Sequence, residues 1–476
     1  MSERGDAAPA EATWKDLMVG GHLPVFLVLC LGIWLHAADS LLVATVMPSA
    51  VGEIGGVPYI SWTIALYQLG SIIAGAATGL AAVRFGLRNA MVLAAFIYAI
   101  GCVASALAPD MAVMLIGRGL QGIGGGFLLA LAYVAISQLF PAGLMPRLMA
   151  IMSGVWGASA LCGPLIGGFF ASIGLWRLSF WAFAVQAVLL ALAVVLLLRR
   201  ARAATAETPP RVPYRRMLVL AAGIMAIALA GAEVSLVGST LFCVGGVLLL
   251  ALLFRLDRSH ENSLFPSQQL DLRHTVGAGM VMILACGIAS MSFVTYGPLL
   301  MEVLFGADPL TAGYMVAVES VAWTVAALLI AGARPGSEAL IIRGGSVLIT
   351  VGVIGFAVTM PDGPLWALIP WAILQGAGFG FAWGFIARRV VAAADSAERE
   401  KASAALPTTQ LIGFAIGAAA SGIVANAAGF ADGVTLGDAE TVAFWVFAAF
   451  IPIALVGNVA AWRLSRDPQP QPVGTA

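Results

Sequence analysis

Leu120-Gln121-Gly122-Ile123-Gly124-Gly125-Gly126 returns 254 residues later as Leu374-Gln375-Gly376-Ala377-Gly378-Phe379-Gly380. A second pair, Gly163-Pro164-Leu165-Ile166-Gly167 and Gly413-Phe414-Ala415-Ile416-Gly417, is offset by 250. All four copies lie inside apolar runs. Small residues four apart let helix backbones approach closely, and one such pattern marks only a helix contact. Two matched pairs in the same order, at nearly one offset, mark an internal repeat. The chain reads as two related halves.

Around the repeats, apolar runs occupy 24–50, 59–82, 90–108, 111–139, 149–173, 179–198, 217–234, 236–254, 275–303, 311–332, 343–360, 365–387, 402–427 and 441–463. A spanning helix needs about 20 such residues. The reading is therefore all-α, an integral membrane protein of 14 spans. Only Gly231-Ala-Glu233-Val separates the seventh and eighth runs. A twelve-helix alternative would make those two a surface hairpin; their length and lack of charge favour fourteen. The organisation that follows is a tail at 1–23 and a six-helix bundle at 24–198. Linkers with two extra helices (217–254) fill 199–274, a second six-helix bundle takes 275–463, and a tail takes 464–476.

Composition agrees. Of 476 residues, 61% are hydrophobic and 10% charged, and the mean hydropathy is +0.98. Soluble domains carry about 25% charged residues, so a soluble enzyme is excluded. Disorder needs the reverse composition. The acidic start, with Glu3, Asp6, Glu11 and Asp16, is not that of a cleaved signal peptide, so the first run is expected to stay as a helix. Five scattered cysteines (Cys30, Cys102, Cys162, Cys243, Cys286) read as small buried apolar groups, without disulfide or metal.

The net charge of zero conceals an ordered placement. With the N-terminus inside and the spans alternating, 22 of the 24 Lys and Arg residues fall in inner loops and tails. Arg177 alone falls outside, and Arg118 alone falls within a span. The outer loops collect Glu53, Asp110, Glu233, Asp308, Asp362, Asp432, Asp438 and Glu440. Basic residues mark the cytoplasmic side of a membrane protein, so both termini are expected there.

Several local patterns recur in a fixed order. Asp39 precedes Pro48 by nine residues in the first span. The second span carries Trp62 and Tyr67 and ends in Gly79-Leu-Ala-Ala-Val83-Arg84-Phe85-Gly86-Leu87-Arg88. The fourth has Arg118-Gly-Leu-Gln121-Gly122. The fifth has Gly154, Gly157 and Gly163-Pro164-Leu-Ile-Gly167-Gly168, followed by Trp176-Arg177 and Phe180-Trp181. In this order the chain resembles the major facilitator superfamily, specifically its fourteen-span drug/proton antiporter branch, over nearly its whole length. The first-span pattern departs at Leu41 and Ala44, and Val83 stands where the family loop motif has Asp. The resemblance implies two pseudo-symmetric six-helix bundles plus two extra helices. It also implies alternating access and proton-driven export of lipophilic or cationic compounds. Gly79, Arg84, Gly86 and Arg88 would then serve a conformational clamp that lacks its acid. Gly154, Gly163, Pro164, Gly167 and Gly168 would let one helix slide past another.

The residues themselves point to function through charges at membrane depth. Such a charge costs about 2.5–3.5 kcal/mol on insertion scales. Asp39, Arg118 and Glu319 are the candidates for proton coupling. Their bland alternative is a static pair that fixes helix packing. His36, three residues before Asp39, shares its helix face. His36, Trp34, Tyr67, Gln121, Trp156 and Trp323 are candidate substrate contacts, although Trp and Tyr also collect at bilayer interfaces. Glu302 lies near the outer end of the ninth span and reads as interfacial. No phosphate-binding Gly-Lys-Ser/Thr occurs, and the only lysines are Lys15 and Lys401. No metal-ligand cluster appears. The expected partners are lipid bilayer, protons and a small-molecule substrate, with no cofactor and no nucleic acid. The expected state is a monomer in the plasma (bacterial inner) membrane. An uptake carrier or facilitator for one metabolite, on the same fold, is the alternative.

Overall fold

A computed structural model describes residues 22–141, 144–198, 212–232, 236–258, 263–333, 336–396, 398–430 and 436–466. The tails beyond these limits, the linker arginines Arg199, Arg200, Arg202 and Arg211, and the outer acids Glu233 and Asp432 lie outside the described residues.

The first half comprises α1 (His22–Ile54), α2 (Ile60–Phe85), α3 (Leu87–Ala106), α4 (Met111–Leu139), α5 (Met145–Ser172) and α6 (Arg177–Leu197). The intervening pair is α7 (Tyr214–Ala232) and α8 (Leu236–Arg258). The second half comprises α9 (Thr275–Phe305), α10 (Pro309–Ile330), α11 (Glu338–Thr359), α12 (Ile369–Ala393) and α13 (Arg399–Ala427). Its last span is built from α14 (Leu436–Ala448) and α15 (Ile451–Leu464). Among the described residues no strand occurs, and 14 spans are long and apolar enough to cross a bilayer.

The helices outrun the apolar runs. With 33 residues, α1 is about 50 Å long at 1.5 Å per residue, against a hydrocarbon core of about 30 Å. The last span is broken at 449–450 because Pro452, second in α15, would clash with the carbonyl four residues earlier. Outer acids start two helices. Asp110 accepts from the Val113 N–H at 3.0 Å. Asp308 accepts from Leu310 and Thr311 N–H at 3.0 and 3.1 Å. The Thr311 hydroxyl and these amides hold the Asp308 carboxyl below the usual carboxylate range. Gly86 joins α2 to α3 with φ of 74° and ψ of 152°, a conformation reserved for glycine.

The seventh and eighth runs form two full helices. Exposed Val237, Leu241, Val247 and Leu248 give α8 an apolar face suited to lipid. Both halves touch α7: Trp62 Nε1 of α2 donates to the Ala228 carbonyl at 3.1 Å. Asn426 Nδ2 of α13 donates to the carbonyls of Gly231 (2.8 Å) and Pro58 (3.0 Å).

The repeat governs packing. A Cβ on Gly122 would lie 2.2 Å from the Tyr67 carbonyl oxygen, and one on Gly376 would lie 2.0 Å from that of Glu319. Thus α4 crosses α2 as α12 crosses α10. Gly163 and Gly167 abut the Ala38 and Leu42 carbonyls of α1; Gly413 and Gly417 abut those of Leu284 and Ile288 of α9. These crossings fix the residue equivalences. Tyr67 matches Glu319, Gln121 matches Gln375, and Arg118 matches Ala372. Asp39 matches Ala285, and His36 matches Met282.

The halves meet on the face that carries the outer acids. A Cβ on Gly168 of α5 would lie 2.6 Å from the Pro309 carbonyl oxygen. One on Gly313 of α10 would lie 2.7 Å from that of Pro164, and one on Gly422 of α13 would lie 2.2 Å from Ser61 Oγ. On the basic face the halves part. A cavity of about 800 Å³ opens between Tyr133, Val134 and Ser137 of α4 and Val391, Arg399 and Ser403 near α12 and α13. The protein is closed on its acidic face and open on its basic face.

These crossings predict different outcomes for two glycines in the repeat regions. Gly376→Ala drives a methyl into a backbone oxygen and is expected to destabilise by more than about 2 kcal/mol. Gly119→Ala, with nothing within 4 Å, is expected to leave thermal unfolding in detergent unchanged.

Candidate functional site

The mid-membrane site of the first half is built on α1, α3 and α4. Pressed against α5 through Gly163 and Gly167, α1 turns Asp39 toward α4. Asp39 Oδ1 accepts from Arg118 Nη1 at 2.9 Å, and both side chains are fully buried. Gln121, one turn after Arg118, donates through Nε2 to Asp39 Oδ2 at 3.1 Å. Its Oε1 accepts from Arg118 Nη1 (3.1 Å) and from Ser105 Oγ (2.9 Å). Arg118 Nε donates to the Thr63 carbonyl at 3.3 Å, while Nη2 has no hydrogen-bond partner among the described residues. The guanidinium lies over the Tyr67 ring at 4.3 Å, a cation–π contact.

The Tyr67 hydroxyl donates to the His36 carbonyl at 2.8 Å and lies 3.2 Å from His36 Nδ1. The two rings stack at 5.5 Å. Trp156 of α5 meets the imidazole edge-on at 6.1 Å. Asp39, Arg118, Gln121, Tyr67, His36 and Trp156 therefore form one cluster. Trp34 stands apart from it, donating to Gln186 Oε1 of α6 at 3.1 Å.

In the second half, Glu319 sits midway along α10. Gln375 Nε2 donates to its Oε1 at 2.9 Å. Among the described residues Glu319 forms no ion pair. One turn on, Trp323 stacks on Phe379 at 4.8 Å with nearly parallel planes. Each half therefore buries a mid-span carboxylate and holds it with the same repeated glutamine amide. A cation joins that mid-span carboxylate only in the first half, among the described residues.

The other motif residues divide by surroundings. Gly167 and Gly168 point to opposite neighbours, α1 and α10, so α5 is wedged between the halves. The Pro164 carbonyl accepts from Thr45 Oγ1 at 3.1 Å. Gly154 faces open space, and Gly79 is exposed. Arg84 is exposed, and Arg88 donates to the Val195 carbonyl of its own half at 2.6 Å. Glu302 is half-buried, with Oε1 buried and unpartnered among the described residues.

Sequence reasoning missed three contributors. Gln375 was visible as the repeat partner of Gln121. Phe379 sits in the same repeat and closes the Trp323 stack. Cys102, read as an apolar filler, accepts from Gln121 Nε2 at 3.2 Å, and no sequence signal foretells that. Cys162 and Cys243 are half-buried rather than buried; all five cysteines are free.

The Major Facilitator Superfamily profile matches residues 29–387. The chain belongs to the major facilitator superfamily. A Mycobacterium tuberculosis protein named "Probable multidrug-efflux transporter" is 30% identical over 479 residues, covering 96% of this chain and 98% of that one. The multidrug efflux pump SdrM of Staphylococcus aureus is 22% identical over 301 residues, covering 62% and 66%. Among solved structures of the superfamily fold, the peptide transporter POT in complex with alafosfalin aligns with a TM-score of 0.68. It is 16% identical and covers 93% and 95% of the two chains. The inward open xylose transporter XylE from E. coli gives a TM-score of 0.63 at 17% identity, covering 94% and 97%. At these identities the structures speak for the fold. As a superfamily member the chain is an integral membrane transporter, not an enzyme.

Proposed function

We propose that this protein exports lipophilic, cationic small molecules in exchange for protons across the plasma (bacterial inner) membrane. One observation carries the reading. The Asp39–Arg118 pair is fully buried at membrane depth, and the equivalent crossing of the second half is made with Ala285 and Ala372. Helix packing thus needs no ion pair there. A carboxylate that alternates between ionised and protonated forms does need a nearby cation that can be released and recaptured. Protonating Asp39 removes the negative half of the pair and frees Arg118 to rearrange.

Orientation is read from charge placement. The basic face is the cytoplasmic one, which puts both termini inside and the open cavity toward the cytoplasm. That opening, lined from both halves, gives a guest access from the cytoplasmic side. Glu319, a carboxylate without a cation, lies beside the Trp323–Phe379 stack and suits a flat cationic guest. The names of the M. tuberculosis and S. aureus relatives support efflux. Each inward proton contributes about 2.3 kcal/mol per 100 mV. The protein works as a monomer with no cofactor beyond the coupling proton.

The test is reconstitution in vesicles with an imposed pH gradient and a panel of dyes and metabolites. Proton movement that requires an oppositely moving dye supports antiport. Uptake of a single metabolite without a dye response overturns it. Glu319→Gln is expected to raise KM for cationic dyes about tenfold, the value of one charged hydrogen bond, and to spare neutral ones. Equal loss for both classes would assign Glu319 to packing.

A further inference from the structure

In the state described, Asp39 is sealed from water, and so is His36. A short run of side chains links them to the cytoplasmic cavity. His36 stands one turn before Asp39 on the same face of α1, about 5–6 Å away at Cβ. The half-buried Trp156 indole meets the imidazole edge-on. Trp156 and Tyr133 are side-chain neighbours. Tyr133 lines the cavity. The order from ion pair to cytoplasm is Asp39, His36, Trp156, Tyr133 and water.

Two further observations separate the imidazole from ordinary packing. The equivalent of His36 in the second half is Met282, so the crossing can be made with an apolar side chain. The wall opposite is Gly125, where a Cβ would lie 3.1 Å from both His36 Nδ1 and the Tyr67 hydroxyl. A side chain in place of this glycine would crowd the ring and the Tyr67 hydroxyl. The charged and titratable groups around the imidazole are Asp39 from α1, Tyr67 from α2, Tyr98 from α3 and Arg118 from α4.

We propose that His36 is the proton shuttle from Asp39 to the cytoplasmic cavity, with Trp156 as the plug between them. The inference rests on the proton-coupled reading above. Protonated Asp39 gives its proton to the unprotonated nitrogen of the neutral imidazole. Asp39 is left as a carboxylate on Arg118 Nη1 and Gln121 Nε2. When Trp156 turns aside, the imidazolium gives a proton from its other nitrogen to cavity water. A ring flip then restores the starting tautomer. The net change is one proton moved from the Asp39 carboxyl to water.

The full-length protein in liposomes, with ethidium as the probe and a pH dye inside, tests this. An exchanging carrier returns loaded and never has to discharge its proton. His36→Gln is therefore expected to slow ethidium-coupled proton movement at least about tenfold, and at least about fivefold more than it slows ethidium exchange. It should also flatten the pH profile of that movement. Coupled proton movement at the wild-type rate overturns the shuttle alone. Equal loss of exchange and proton movement overturns it too, in favour of a packing or substrate role. Wild-type ethidium transport without proton movement overturns both the shuttle and the antiport reading. Trp156→Ala keeps His36 in place and is expected to raise the proton leak without ethidium; an unchanged leak overturns the plug.

Discussion

Asp39→Asn is expected to abolish gradient-driven dye efflux while leaving dye exchange in place. The substitution is close to isosteric, and the Asn carbonyl oxygen can still accept from Arg118 Nη1, as Asp39 Oδ1 does at 2.9 Å. The hydrogen bond survives, and the titrating charge does not. Without it nothing in the first-half cluster can alternate between paired and unpaired states. Exchange needs only the rocking of the halves, which depends on α5 between α1 and α10. The measurement is dye efflux under an imposed pH gradient beside dye exchange at equal pH. Coupled efflux persisting in Asp39→Asn would remove Asp39 from the mechanism.

Arg118→Ala is expected to destabilise the fold more than any other single change in this site. It strands a fully buried carboxylate with the neutral Gln121 amide and Tyr98 hydroxyl as its polar neighbours. Breaking a buried pair from one side typically costs about 3–5 kcal/mol, most of it the uncompensated charge. Removing both charges is far milder, because a buried pair repays little more than its own desolvation. The double change Asp39→Asn with Arg118→Gln is therefore expected to unfold within a few degrees of wild type. Thermal unfolding in detergent of Asp39→Asn, Arg118→Gln and their double gives the coupling directly. Additive losses would mean that the two groups do not interact, contrary to their geometry.

Much of the architecture was legible because membrane insertion imposes a simple code. Apolar runs had to become helices, since no other open structure satisfies its backbone in lipid. The repeated Gln-Gly-x-Gly runs were legible for a related reason: a glycine pressed on a carbonyl leaves no tolerance for a side chain. Helix ends were less legible. The last span breaks at 449–450, and α1 extends well past its apolar run, because hydropathy reports lipid contact and not hydrogen bonding. The candidate site was partly legible. Asp39, Arg118 and Glu319 stood out as charges in apolar runs. The ring of Phe379 on Trp323 and the thiol of Cys102 on Gln121 did not, since a ring or a thiol in a membrane helix is unremarkable by itself, and Gln375 was marked only by the repeat.

The sequence by itself determined an all-helical membrane protein of fourteen spans in two repeated halves, with its basic side and its buried charges marked. Those follow from solvation, which acts residue by residue along the chain. Only the tertiary structure decided which charges meet. It put Asp39 on Arg118 and Glu319 on Gln375, moved Trp34 away to Gln186, and closed the acidic face while opening the basic one. Contacts between residues 56 to 152 apart depend on the angle at which each pair of helices crosses. That angle is set by all the neighbours together, and no local run of residues records it.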